Sequence, residues 1–273
     1  MKPTIGVHFS LQHGEMKGLR DAWMEAEALG VARIFTADHL HAQNVDATAF
    51  EAGQAHVTVG SGGKIFEATT VQAAIAATTT RPEIGCTVHA IGFRNPNLLA
   101  DIARTIDHIS GGRFILGLGA GYLEAEYIDY GYENYGTQAS RLRDLAQAIP
   151  IIKARFEKLN PKPLRKIPLL IGAMGEKIGL PIVAEHADMW IMFGPNDSIR
   201  HKIEVLRRIC GEIGRDFNEI EVIGCHEPLL ATDNDPDIFY REFGMKHIFV
   251  RIEGPKWDLG PLRELLQWRK GLG

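Results

Sequence analysis

The run Asp107-His108-Ile109-Ser110-Gly111-Gly112-Arg113-Phe114-Ile115-Leu116-Gly117-Leu118-Gly119-Ala120-Gly121-Tyr122 constrains the fold more than any other stretch of the chain. A helix stops at the glycine pair, a strand begins at Arg113, and that strand runs into a glycine-spaced loop. Arg113 to Leu118 is short, β-branched or large, and mostly apolar, as a parallel strand covered on both faces must be. Gly119 and Gly121 leave a backbone with little side-chain bulk, open to close approach by a flat ring or a phosphate. α/β enzymes place their chemistry at the carboxyl end of such strands. The spacing does not make a dinucleotide fold. Position 122 is Tyr where the third glycine belongs, and no acidic residue closes a following strand about 20 residues on.

Strand and helix patterns alternate around this motif. Strands are expected at 4–9, 31–37, 83–89, 113–118, 168–172, 188–193, 219–225 and 247–252. Helical patterns fall at Leu19–Leu29, closed by Gly30, at Phe66–Thr79, from Asn95-Pro96 to His108, at Gln138–Phe156 and at Gly175–His186. A further helix capped by Asn196 or Ser198 ends near Gly214. Eight strand–helix units without a turn-rich β region match a single (β/α)₈ TIM barrel over residues 1–273. A doubly wound open sheet is the alternative, because periodicity does not report closure. The segment Asp38–Lys64 breaks the rhythm. Loops beyond about 12–15 residues are commonly lids or binding loops, so it is expected to be a substrate lid, with Gly53, Gly60, Gly62 and Gly63 giving it freedom to move.

Composition narrows the class. At 45% hydrophobic residues and a formal charge of −4, the 273-residue chain reads as an ordinary soluble protein. No apolar run approaches the ~20 residues of a membrane span and no leader pattern is seen. The three cysteines, Cys86, Cys210 and Cys225, form neither a metal pair nor a disulfide framework. A reducing cytoplasm is therefore the expected compartment and no metal site is expected. Mild negative charge without a basic stripe argues against nucleic acid as a partner.

Several residues carry candidate chemistry. Asp38-His39 closes the second strand, where a carboxylate beside an imidazole fixes its tautomer or raises its basicity. An exposed loop pair is the structural alternative. Thr87-Val88-His89 closes the third strand and is equally readable as a cofactor support or a plain strand end. In Ile171-Gly172-Ala173-Met174-Gly175-Glu176-Lys177 a strand passes through small residues into a helix start, so free N–H groups are expected to face an anion. Phe193-Gly194-Pro195-Asn196 repeats that arrangement. Glu124 and Glu126 suit a glycosidase pair, but acids at a helix start complement the macrodipole, which is the preferred reading. His8, His13, His56 and His226 have no assigned role.

Taken in order, Asn95-Pro96-x-x-x-Ala100, Thr105-x-Asp107-x-x-Ser110-Gly111-Gly112-Arg113-Phe114-x-x-Gly117-x-Gly119-x-Gly121-Tyr122, Glu126-Tyr127, Pro168-Leu169-Leu170-Ile171-Gly172, Ala184-Glu185-His186-Ala187-Asp188-x-Trp190 and Phe193-Gly194-Pro195 resemble the bacterial-luciferase-like flavin and deazaflavin oxidoreductases. The resemblance implies a TIM barrel that binds F420, or alternatively FMN, at the carboxyl ends of its strands. It places His39 at proton or hydride transfer with Asp38 as its orienting partner. It places Thr87 and Val88 at a non-proline cis peptide under the ring, Gly119, Ala120, Gly121 and Tyr122 along the ring, and Gly172, Ala173, Met174 and Gly175 at the phosphate-bearing tail. Tyr122 stands where sugar-phosphate-oxidising members carry a catalytic glutamate. The activity implied is hydride transfer between F420 and a small organic substrate, in a homodimer. The alternatives are a reduced-FMN monooxygenase served by a separate flavin reductase, and a non-catalytic flavin-binding barrel.

Overall fold

The computed structural model describes residues 2–45, 57–59, 63–133, 135–226 and 235–273. Eight parallel strands close a barrel: β1 (Thr4–Phe9), β2 (Arg33–Thr36), β5 (Glu83–Cys86), β7 (Phe114–Gly119), β8 (Leu169–Gly172), β9 (Met189–Ile191), β10 (Glu221–His226) and β11 (His247–Ile252). The ring runs β1-β2-β5-β7-β8-β9-β10-β11 and returns to β1 through a six-residue register from Thr4↔His247 to Phe9↔Ile252. Helices stand between the strands on the outside: α1 (Met16–Leu29), α2 (Ala68–Thr78), α3 (Pro96–Ser110), α4 (Glu124–Asp129), α5 (Gln138–Lys158), α6 (Gly179–His186), α7 (Asn196–Glu212), α8 (Pro236–Arg241) and α9 (Gly260–Gly271). The molecule is a (β/α)₈ TIM barrel, and the open-sheet alternative is excluded by the β1–β11 and β5–β7 pairings.

The period-two alternation of each strand sorts its residues into two cores. Ile34, Phe114, Leu116 and Leu118 pack outward against the helices. Phe35, Ile115, Leu170, Ile223 and Phe249 fill the barrel interior. Burying each such side chain contributes about 1.5–3 kcal/mol, which is why the pattern dictates the closure. Below this layer, at the amino ends of the strands, Arg33 bridges Glu83 and Glu221, and Arg165 completes the plug on Glu83. Above it, the inward positions of β7 and β8 are Gly117, Gly119 and Gly172. β7 and β8 therefore contribute no side chains to the barrel interior toward its carboxyl end.

Three sequence expectations change. Between β2 and α2, the expected lid segment contributes a two-stranded antiparallel pair, β3 (Gln43–Val45) and β4 (Val57–Val59). Gly53, His56, Gly60 and Gly62 lie outside the described residues. The helix expected from Gly175 begins at Gly179, because Pro181 has no N–H to close the turn that an earlier start requires. The cap expected at Asn196 or Ser198 falls on Pro195, which offers no side-chain acceptor. Short β6 (His89–Ala90) extends the β5 line along β7 after the Thr87–Val88 peptide, which is cis.

Candidate active site

A cavity of about 540 Å³ opens at the carboxyl end of the barrel, within the ~300–1,000 Å³ range of cofactor sites. All twelve residues expected at the site line it: Asp38, His39, Thr87, Val88, Gly119, Ala120, Gly121, Tyr122, Gly172, Ala173, Met174 and Gly175. Glu126, Gln138, Leu142, Ile191 and Phe193 complete much of the remainder.

The glycines of the central motif have a more specific purpose than openness. A Cβ at Gly119 would stand 2.3 Å from Val88 Cγ2, and one at Gly172 would stand 3.1 Å from Val88 Cγ1. At Gly117 a Cβ would meet the Cys86 carbonyl oxygen at 1.8 Å. The room left by β7 and β8 is filled by the Val88 isopropyl group, which sits in this glycine cradle as the cavity floor. Gly121 has φ +73°, and its missing Cβ makes way for the Tyr127 hydroxyl, which donates to Ala120 O at 3.2 Å. Beneath Val88, the buried His89 ring contacts Gly117 O at 3.0 Å and Gln72 Oε1 at 3.1 Å. Burial lowers its pKa, so it is a neutral brace rather than an acid.

His39 is held differently from the sequence expectation. Its Nδ1 lies 3.2 and 3.3 Å from the two carboxylate oxygens of Glu126. Glu126 also accepts from Leu40 N at 2.6 Å and His41 N at 3.2 Å, and it is buried. A carboxylate only accepts, so Nδ1 is the nitrogen that donates in this contact, and Nε2 is the ring's other nitrogen. Glu126 is thus the residue that contacts His39 in place of Asp38, which corrects the role given to Asp38; with Glu124 it also stands in the first turn of α4, as expected of acids at a helix start. Asp38 is turned to other donors: Arg94 grips it bidentately at 2.6 and 2.8 Å, and Ala90 N donates to it at 3.1 Å. The pairing of Glu126 with His39 and of Arg94 with Asp38 is not legible in the sequence, because the partners lie 87 and 56 residues apart. No local spacing encodes such pairs; the only trace was a pair of acids opening a helix and an arginine ahead of Asn95-Pro96.

Tyr122 connects the cavity to a buried polar layer behind it. The Tyr122 ring meets His39 edge-on with centroids 5.5 Å apart, and its hydroxyl donates to Gln43 Oε1 at 3.2 Å. Burial raises the Tyr122 pKa, so the phenol stays neutral. Gln43 and Gln12 are clamped to each other through Gln43 N to Gln12 Oε1, 2.7 Å, and Gln12 Nε2 to Gln43 O, 3.1 Å. Gln43 Nε2 and, on the inward face of β1, His8 Nδ1 are buried without a hydrogen-bond partner. Burial, then the charges of Arg251 and His39, press the His8 pKa down to about 3, so this ring is neutral. Among the described residues, no three His, Cys, Asp or Glu side chains gather as a metal set.

A closed barrel with a cavity at its carboxyl end and a carboxylate-held histidine at the mouth has the form of a TIM-barrel enzyme site. The chain belongs to the luciferase-like monooxygenase family, whose model matches residues 5–249. The family comprises F420- or FMN-dependent oxidoreductases and monooxygenases. Among curated relatives, the pyrimidine monooxygenase RutA of Allorhizobium ampelinum is 30% identical over 215 residues, covering 71% of this chain and 57% of that protein. An uncharacterised protein of Mycobacterium tuberculosis is 29% identical over 157 residues, covering 52% of this chain and 55% of its own. The chain spans about half the length of the curated relatives it matches. An F420-dependent secondary alcohol dehydrogenase solved with an F420-acetone adduct shares the fold with TM-score 0.72 at 16% identity, covering 92% of this chain and 93% of that one. The oxygenating constituent of 3,6-diketocamphane monooxygenase from Pseudomonas putida, solved with FMN, does so with TM-score 0.59 at 14% identity, covering 90% and 78%. Among the described residues no helix is long and apolar enough to cross a membrane.

Proposed function

We propose that this barrel is an F420-dependent oxidoreductase that moves a hydride between the deazaflavin and a small organic substrate. The observation that carries the reading is the Val88 floor in its glycine cradle, faced at the cavity mouth by His39 with Nδ1 fixed on Glu126. The lining fits a planar tricyclic group: a flat aliphatic floor, small residues along β7 and β8, and few polar atoms. When bound, the deazaflavin supplies the hydride chemistry. The chain supplies the rest. Val88 and the backbone at Gly119–Gly121 support the ring, and residues Gly172–Gly175 lie toward its tail. His39 Nε2 takes the proton from a substrate hydroxyl in oxidation and returns it in reduction. Glu126 keeps the imidazole in the tautomer that this task needs and stabilises the ring while it carries the extra proton. The reading includes a cytoplasmic homodimer.

The second reading is a reduced-FMN monooxygenase supplied by a separate reductase; the sequence relationship to pyrimidine monooxygenases favours it. Fluorescence titration of the purified protein separates the two. Micromolar quenching of F420 is expected; binding of FMN alone, with substrate-dependent oxygen uptake, selects the second reading. Binding of neither overturns both.

A further inference from the structure

We infer that Arg94 is a positioning residue that locks the two walls of the cavity together through Asp38. Its guanidinium fork gives NH1 and NH2 to the two oxygens of Asp38, at 2.6 and 2.8 Å. The same carboxylate accepts from Ala90 N, at the end of the segment that carries Val88. Asp38 is bonded covalently to His39. One carboxylate therefore fixes the floor and the proton-handling ring relative to each other, and Arg94 fixes the carboxylate.

The arginine reaches further. NH2 also lies 2.6 Å from Glu67 Oε1, and Glu67 caps α2 by accepting from Thr69 N and Thr70 N. Glu67 ends the return leg of the long excursion that leaves at Asp38. That leg is stitched to the loop after β1 by His13 N to Lys64 O and Phe66 N to Leu11 O. Arg94 thus joins both feet of the excursion at the cavity wall. The Asp38 side chain is 1% exposed and that of Arg94 11%. At this burial the geometry depends on a planar fork that engages two oxygens at once. A lysine keeps the charge but engages one point at a time.

This role deepens the cofactor reading and rests on it for one of the two measurements below. In the cofactor-free protein, Arg94→Lys is expected to speed amide hydrogen exchange at Ala90 by at least about tenfold. Ile248 and Phe249, on the opposite strand of the barrel, keep their protection. In the titration, Arg94→Lys weakens binding of F420, or of FMN if that is the cofactor, by about tenfold or more, with the urea midpoint near that of the parent. Unchanged exchange at Ala90, a rise shared equally by Ile248 and Phe249, or an unchanged dissociation constant overturns the role. If Arg94→Lys does not fold, Asp38→Asn reads the same junction from its other side, with the same local loss of protection expected. A parent protein that binds neither cofactor defeats the function proposed above, and the exchange measurement then decides Arg94 alone.

Discussion

The two ends of the barrel are both lined with buried polar groups, but they use them in opposite ways. At the amino end Arg33 gives Nε to Glu83 at 2.9 Å and both terminal nitrogens to Glu221 at 2.8 and 2.9 Å. Every donor of that fork faces a carboxylate, and the strands β2, β5 and β10 are tied across the interior. At the carboxyl end the ties are as tight around Asp38 and Glu126, yet Asp38, His39 and Glu126 line an open cavity. The Arg33 network closes on itself and holds the fold, whereas the carboxyl-end network borders a cavity that another molecule can enter. The contrast predicts that substitutions at the two ends separate stability from activity.

The largest separation is expected at His39. Replacing it by Ala removes a general acid–base group and should lower turnover by about 10²–10⁴, with the urea midpoint hardly moved, since the ring is partly exposed at the mouth. Steady-state kinetics beside an unfolding curve checks this; a variant with full turnover removes His39 from the mechanism. Next comes Arg33→Ala, which takes the arginine from Glu221 and leaves Glu83 with Arg165 at the barrel floor. Breaking a buried ion pair costs about 3–5 kcal/mol, and the partial exposure of these glutamates reduces the expectation to roughly 2–3 kcal/mol. Cofactor affinity should stay within about twofold of the parent, because Phe35 and its layer intervene. A loss of affinity as large as the loss of stability would erase the distinction between the two ends.

How far the sequence foretold this arrangement depends on the range of the signal. Alternation within a strand and the glycine stops of α1 and α3 are local, so the barrel was legible from pattern, whereas the twelve lining residues came from the family resemblance. Gly30 and Gly111 do adopt left-handed φ values of 87° and 70° as helix ends. The partner of His39 was misassigned because adjacency in sequence favoured Asp38. At the end of a strand, neighbouring side chains point to opposite faces, and the closer carboxylate in space came from α4. The glycines of β7 were recognised as a site but not as a cradle, since their complement, Val88, lies on another strand. The start of α6 differs from the glycine pattern because Gly175 belongs to the turn that precedes it, and the missing N–H of Pro181 is compatible only with a start near Gly179.

The cradle offers a smaller, sharper test within the carboxyl end. Gly119→Ala places a methyl group against the movable tip of Val88, whereas Gly117→Ala places one against the Cys86 backbone. The first should weaken cofactor binding about tenfold while costing about 1 kcal/mol of stability. The second should cost about 1–3 kcal/mol. Equal effects on binding would mean that Val88 is not the floor.

The mildest difference is in acid. His247, at the amino end, bonds Thr4 Oγ1 through Nδ1 at 2.8 Å, and its Nε2 is buried without a partner. Burial and then the Arg33 charge hold its pKa well below 6.5, and His8 at the other end is lowered to about 3. In the unfolded chain both rings take up a proton near pH 6.5; in the folded barrel they do not. Below that pH the unfolded state binds more protons, so stability is full above about pH 6.5 and falls as the pH drops toward 3. Each ring contributes a slope of up to about 1.4 kcal/mol per pH unit within its window. His247→Asn should therefore be less stable at pH 7.5 but lose less between pH 6 and 4, as read from urea midpoints. The cofactor titration at pH 7.5 should not change, because His247 lies beneath Phe35, with ring centroids 5.9 Å apart, and has no path to the cavity. An acid slope identical to the parent's would show that this ring already titrates in the folded protein, and the barrel floor would then be wetter than its packing implies.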